Sequence, residues 1–210
     1  MYSNTGGAGD TAVGASALHN NTTGGGNVAV GSNALYGNTI GNNNVAIGPN
    51  AMVAHSGNGN GNVAVGATAL QAHTNSIENT AVGYGVMSIG STGIFNTAVG
   101  YVAMAFSTGN ANTALGNAAM NMCTGNNNVA IGYQAGVNVG GDGNIVIGYF
   151  GGQNLTMGAN NIVIGNGGSS GDENKIRIGT PGTQTATYIA GIRGVALGNM
   201  QPIGVNGSWG

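Results

Sequence analysis

The sequence predicts an all-β chain wound as a parallel β-solenoid. Three observations carry this. A pentad, Asn-x-Ala-Val/Ile-Gly, returns every 14–18 residues along most of the 210-residue chain. Its fifth position is Gly in all eleven copies. Within each copy, β-branched residues flank a central residue that is usually Ala, the period-2 pattern of a strand. Self-similarity at a fixed short period is the signature of stacked coils.

The copies begin at Asp10, Asn27, Asn44, Asn62, Asn79, Asn96, Asn112, Asn128, Asn144, Asn161 and Lys175. The column glycines are Gly14, Gly31, Gly48, Gly66, Gly83, Gly100, Gly116, Gly132, Gly148, Gly165 and Gly179. A position held by Gly in every copy is one where Cβ is forbidden, by positive φ at a turn or by close approach of another backbone. Ala at position eight (Ala17, Ala34, Ala51, Ala69, Ala103, Ala119, Ala135), with the Leu/Met column at position nine (Leu18, Leu35, Met52, Leu70, Met87, Met104, Met120), predicts a second short strand. The remainder, such as NNTTGGG at 20–26, is turn chemistry. Each coil therefore reads as strand, Gly turn, strand, Asn/Gly turn, with strands of about five residues. Coils rising ~4.8 Å each give a rod of roughly 50 Å. Helix is disfavoured, because Gly and Asn recur every few residues.

So thin a coil encloses few large side chains. Ala and Gly fill most inward positions, and both faces of the first strand are apolar. One face fills the solenoid and the other is expected to meet neighbouring chains. The expectation is an obligate homo-oligomer, a trimer wound round one axis, with the repeat region at 1–179 and a non-repeat cap or transition segment at 180–210.

Composition excludes several classes. Gly occupies 44 positions and charged residues only 4%. The net charge is −2, and all three cations (Lys175, Arg177, Arg193) lie after residue 174. Nucleic-acid binding draws its affinity from neutralised phosphates, so no nucleic-acid partner is expected. No apolar run is long enough to insert in a membrane as a helix, and the first residues, MYSNTGGAGD, do not read as a signal peptide. The lone Cys123 leaves no intrachain disulfide.

Enzyme and metal signatures fail one by one. His55 and His73 share the twelfth column and read as exposed loop residues; His19 stands apart. The adjacent Asp172 and Glu173 read as a solvated pair rather than an acid/base couple. GGDG at 140–143 occurs once and lacks the calcium β-roll register. GNGNGN at 57–62 has no strand–helix unit around it. Cys123 reads as a small apolar filler. No catalytic residue, metal or cofactor is expected. The pentad Asn column predicts a stacked amide ladder along the rod. Tyr84, Tyr101, Tyr133 and Tyr149 all follow the column Gly. They should line one edge with neighbours close to ~5 Å apart, as a packing stripe or as the contact for a glycan or protein partner. Phe150, Tyr188 and Trp209 mark a change of packing near the end.

The pentads NVAVG and NVAIG with the following Ala-Leu resemble the head repeats of trimeric autotransporter adhesins. That resemblance implies a left-handed parallel β-roll, three chains side by side. Segments such as STGNANTALGNAAMNMCTGNNNVAIGYQAG at 107–136 are closer still to the repeats of bacteriophage tail fibres. The segment IRIGTPGTQTATYIAGIRGVALGNMQPIGVNGSWG at 176–210 is similar to the junction preceding the endosialidase-type intramolecular chaperone of phage fibres. Tyr188 to Val195 matches its first part, and Gly204 to Gly210 its second loosely. Because the chaperone is absent from this sequence, the resemblance gives Ser208 no catalytic role. With the chaperone absent, the chain reads as a matured product or as part of a longer one; Met1 aligns mid-coil, so either translation opens inside a repeat or earlier repeats precede it.

The resemblances imply a virion tail fibre that is not an enzyme. Its expected partners are its own copies, a cell-surface glycan or protein receptor, and other tail or fibre proteins. The rival expectation is the head of a bacterial adhesin on the cell surface. A lyase-type solenoid would want paired carboxylates on one face. An ice-binding solenoid would want an unbroken Thr ladder, which Val28, Val45 and Val63 interrupt. Salt bridges across chains are expected among Lys175, Arg177, Arg193 and Asp172/Glu173.

Overall fold

The computed structural model describes residues 3–89, 93–184 and 186. By contacts the chain divides into two units, residues 1–180 and 181–210. The expectations placed on Met1, Tyr188, Arg193, Ser208 and Trp209 fall outside the described residues.

Eleven strands form the first unit: β1 (Thr11–Val13), β2 (Val28–Val30), β3 (Val45–Ile47), β4 (Val63–Val65), β5 (Thr80–Val82), β6 (Thr97–Val99), β7 (Thr113–Leu115), β8 (Val129–Ile131), β9 (Ile145–Ile147), β10 (Ile162–Ile164) and β11 (Ile176–Ile178). They make one parallel sheet in sequence order. Every pair is in pentad register, as in Ala12 opposite Ala29 and Ala98 opposite Ala114. This is a parallel β-solenoid of about ten turns, and no helix occurs among the described residues.

The strands are three residues long, not five, and the second strand does not form. Positions seven and nine are left-handed instead. In the third coil these are Asn50 at φ 56° and Met52 at φ 51°, and the pattern repeats from Ser16/Leu18 to Ala118/Met120. Two left-handed residues separated by one turn the chain inward, where a strand would run straight. The coil-to-coil bonding persists through this corner, with Leu35 N–H on the Ala51 carbonyl at 3.0 Å and Met104 N–H on the Ala119 carbonyl at 3.0 Å. A left-handed Leu or Met costs roughly 1 kcal/mol. Full burial of the side chain offsets it: Leu18, Leu35, Met52, Leu70, Met87, Met104 and Met120 form a continuous inner column.

The core therefore has four columns: the pentad Ala, the Ala of position eight, the Leu/Met of position nine, and position twelve. They compensate one another in volume. Where position nine becomes Gly136 and Gly152, position twelve becomes Val139 and Leu155. The strand centres of β9 and β10 become Val146 and Val163, all buried. A Cβ on Gly152 would sit 2.9 Å from a Val146 methyl, so the larger strand residue requires the smaller corner residue.

At the column glycines from Gly14 to Gly132 both expected causes act together. Their φ values run from 130° to 144°, a region other residues avoid. A Cβ on Gly83 would fall inside 3.0 Å of the Gly100 carbonyl, backbone that cannot yield. Gly165 differs: its φ is 58° and nothing lies within 4 Å of a Cβ there.

The amide ladder is present. The Oδ1 of each pentad Asn accepts the backbone N–H of its counterpart one coil on: Asn44 from Asn62 at 2.9 Å, Asn79 from Asn96 at 2.8 Å, Asn112 from Asn128 at 2.8 Å. The Nδ2 donates across its own coil to the closing turn: Asn44 to the Gly59 carbonyl at 2.9 Å, Asn96 to the Gly109 carbonyl at 3.0 Å. One buried side chain thus joins two coils and closes one. At the first coil Asp10 supplies the acceptor, to Asn27 N–H at 2.8 Å.

Candidate functional site

The outward residues of each strand are positions two and four. From β1 to β11 these are Thr, Val, Ile or Leu only, half-buried or exposed in every strand. Position four is Val, Ile or Leu in every strand, with Val13 58% and Ile178 68% exposed, so an apolar column runs the whole length of the outward sheet face, beside Thr at position two in β1, β5, β6 and β7.

The Gly corner ends that face, and the tyrosines stand just beyond it. Tyr84 and Tyr101 stack with centroids 5.4 Å apart and planes 10° from parallel. Tyr133 and Tyr149 stack at 5.5 Å and 19°. Phe150 packs edge-on against both rings of the second pair. All four tyrosines are exposed, Tyr149 most of all at 74%. Asn117 occupies the same position in the intervening coil, so the column is two stacks rather than one. Backbone bonds fix the register: Ala118 N–H donates to the Tyr101 carbonyl and Gln134 N–H to the Asn117 carbonyl, both at 2.9 Å. A further exposed apolar cluster, Ile89, Phe106 and Met122 at position eleven, escaped the sequence reading. Its signal is three large apolar residues in consecutive coils of one column.

The histidines are a correction. His55 and His73 are fully buried, not exposed. They belong to the twelfth column, which runs Asn21, Asn38, His55, His73, then Ser107, Cys123, Val139 and Leu155, all buried. His55 faces two carbonyls, Nδ1 with His73 at 3.2 Å and Nε2 with Gly59 at 3.1 Å. Neither ring nitrogen of His73 reaches a hydrogen-bond partner among the described residues. Burial lowers the His73 pKa to about 4. The Met87 backbone, too poorly placed for an ordinary hydrogen bond, opposes this in part, and His55 adds to the lowering. Burial lowers His55 as well.

The sign of the consequence follows from linkage. The unfolded chain protonates His73 near pH 6.5, whereas the folded chain resists until about pH 4. Stability is therefore complete above pH 6.5 and falls as the pH drops to about 4. The His73 contribution to that loss is about 3 kcal/mol. Denaturant melts at pH 7 and pH 4 should show the loss. His73→Asn, which places the column's own amide there, should shrink it by about that amount; an undiminished loss in the variant refutes the assignment.

Asp172 is also corrected. Its carboxylate is buried and accepts from Arg177 Nε, from Arg177 Nη2 at 2.6 Å, and from Ser169 N–H at 2.9 Å. The guanidinium holds its pKa below the usual range. The bridge lies within one chain, where Arg177 takes the strand-centre place that Ala or Val fills elsewhere. Glu173 remains exposed. Cys123 is buried as expected, and burial raises its thiol to about 11, so it stays protonated and unreactive.

Among the described residues, no three His, Cys, Asp or Glu side chains gather where they could hold a metal ion. Nor is any helix long and apolar enough to cross a membrane. No family model and no curated protein matches the chain.

Proposed function

We propose that the chain is a structural and adhesive fibre protein: the shaft or head of a phage-type tail fibre, on the virion, that attaches to a host cell surface. Three copies lie side by side as left-handed β-rolls with their sheet faces turned inward. The observation that carries this reading is the outward strand face, whose position-four column is apolar from β1 to β11. A contiguous apolar surface of that extent is a contact surface. A second and third copy of the same chain match it coil for coil, since each presents the same columns at the same rise. The likeness of the pentads to adhesin-head and tail-fibre repeats agrees. Further partners are a glycan or protein receptor and other fibre proteins.

Light scattering or native mass spectrometry tests the assembly. The expected mass is three times that of the 20.3 kDa chain. Replacing Val65, Val82 and Val99 together by Lys, on the outward face of β4 to β6, should yield smaller species. A wild-type chain that is a stable folded monomer in dilute buffer overturns the proposal.

A further inference from the structure

We infer that the gap in the tyrosine column, between Tyr101 and Tyr133 over Asn117, is a binding slot for one pyranose ring of a cell-surface glycan. The inference builds on the attachment reading and adds to it a ligand class and an address. Each bounding ring has one face already covered. Tyr101 stacks on Tyr84, and Tyr133 on Tyr149. Their remaining faces are directed at the same intervening coil, because Tyr101, Asn117 and Tyr133 are in register on three consecutive coils. Both rings are exposed, at 55% and 42%.

The spacing selects the occupant. Two coil steps of ~4.8 Å put the ring planes about 10 Å apart. A flat ring touching both faces at about 3.5 Å spans about 7 Å and leaves the slot loose. A puckered saturated ring, with axial C–H bonds directed at both faces, takes up the difference. Within the tyrosine pairs nothing enters, since their centroids are only 5.4 and 5.5 Å apart. The slot is therefore the one place in this column where a ligand can be held on two sides.

Its floor is polar. Asn117 is exposed and brings an amide that can donate to one sugar hydroxyl and accept from another. Gln134 Nε2 donates to the Tyr133 hydroxyl at 3.2 Å, and Phe150 braces the ring edge-on, so the second wall is already in place before a ligand arrives. Apolar walls with few placed polar groups are the usual composition of a small-ligand site.

Saturation-transfer NMR on the intact assembly tests this, with methyl β-D-galactopyranoside, methyl β-D-glucopyranoside and chitotriose as probes. At least one should receive saturation on its ring C–H protons. Tyr101→Ala and Tyr133→Ala should each weaken it at least tenfold, and Asn117→Ala about tenfold. Asn117→Tyr is the sharpest variant: it completes the stack with a residue the column already accepts and should abolish binding without loss of folding. Tyr36→Ala, which removes a tyrosine elsewhere, should leave binding unchanged. Transfer undiminished in Asn117→Tyr, or absent for all three probes, overturns the slot. The mass of the same sample, read separately, shows whether the assembly reading stands or falls with it.

Discussion

Gly83→Ala yields no folded protein, or one destabilised by about 3–5 kcal/mol. Two independent terms add. The backbone at φ 130° lies where a side chain is strained, at about 1–3 kcal/mol. The new methyl also meets the Gly100 carbonyl and the Val86 side chain in a packed corner, which costs a similar amount. Because the same clash recurs from coil to coil, the backbone has no slack in which to relax. Gly165→Ala is the control: φ 58° is ordinary left-handed backbone and the space is open, so the loss is about 1 kcal/mol. Chemical denaturation of both variants checks the contrast. Equal losses would show that the approach of the next coil adds nothing to the cost of a side chain at the column Gly.

Asn96→Ala should be nearly as damaging, at about 3–4 kcal/mol. Removing the amide strands two buried backbone groups at once. Asn112 N–H loses its acceptor at 2.9 Å, and the Gly109 carbonyl loses its donor at 3.0 Å. Each unsatisfied buried group costs about 1–3 kcal/mol. Asn42, whose amide does comparable bonding on the exposed edge, accepts Gly25 N–H at 2.9 Å. Water replaces that bond in Asn42→Ala, so the loss should stay under about 1 kcal/mol. Melting temperatures of the two variants decide whether buried backbone satisfaction, rather than amide stacking itself, is what the ladder supplies.

The strand register, the Gly corner, the amide ladder and the tyrosine spacing could be read from the repeat because each is a column property. A constraint repeated coil after coil narrows a column to one residue type or a few. The second strand was misread for a different reason. An Ala followed by Leu or Met signals a buried stretch, and burial alone does not separate an extended segment from a left-handed corner. The residue before each pentad is left-handed throughout, from Gly9 to Asn174, and there the Gly/Asn bias was a usable sign. His55 and His73 share a column, but as polar residues among Asn and Gly they read as loop. Read down their column, with Cys123, Val139 and Leu155 in equivalent places, they declare themselves internal. The slot was not foreseen: the sequence places Tyr84, Tyr101, Tyr133 and Tyr149 in one column, but only the stacked rings show which faces remain free.

Because every coil bonds to its neighbours through equivalent atoms, the rod carries no long-distance bookkeeping. Excising one whole repeat, residues 44–61 for instance, would bring Val28 against Val63 and Asn27 against Asn62, pairings of the kind already present throughout. Unequal recombination between such near-identical stretches of gene can therefore lengthen or shorten the solenoid in single-coil increments, and its length becomes a trait that evolves without redesign.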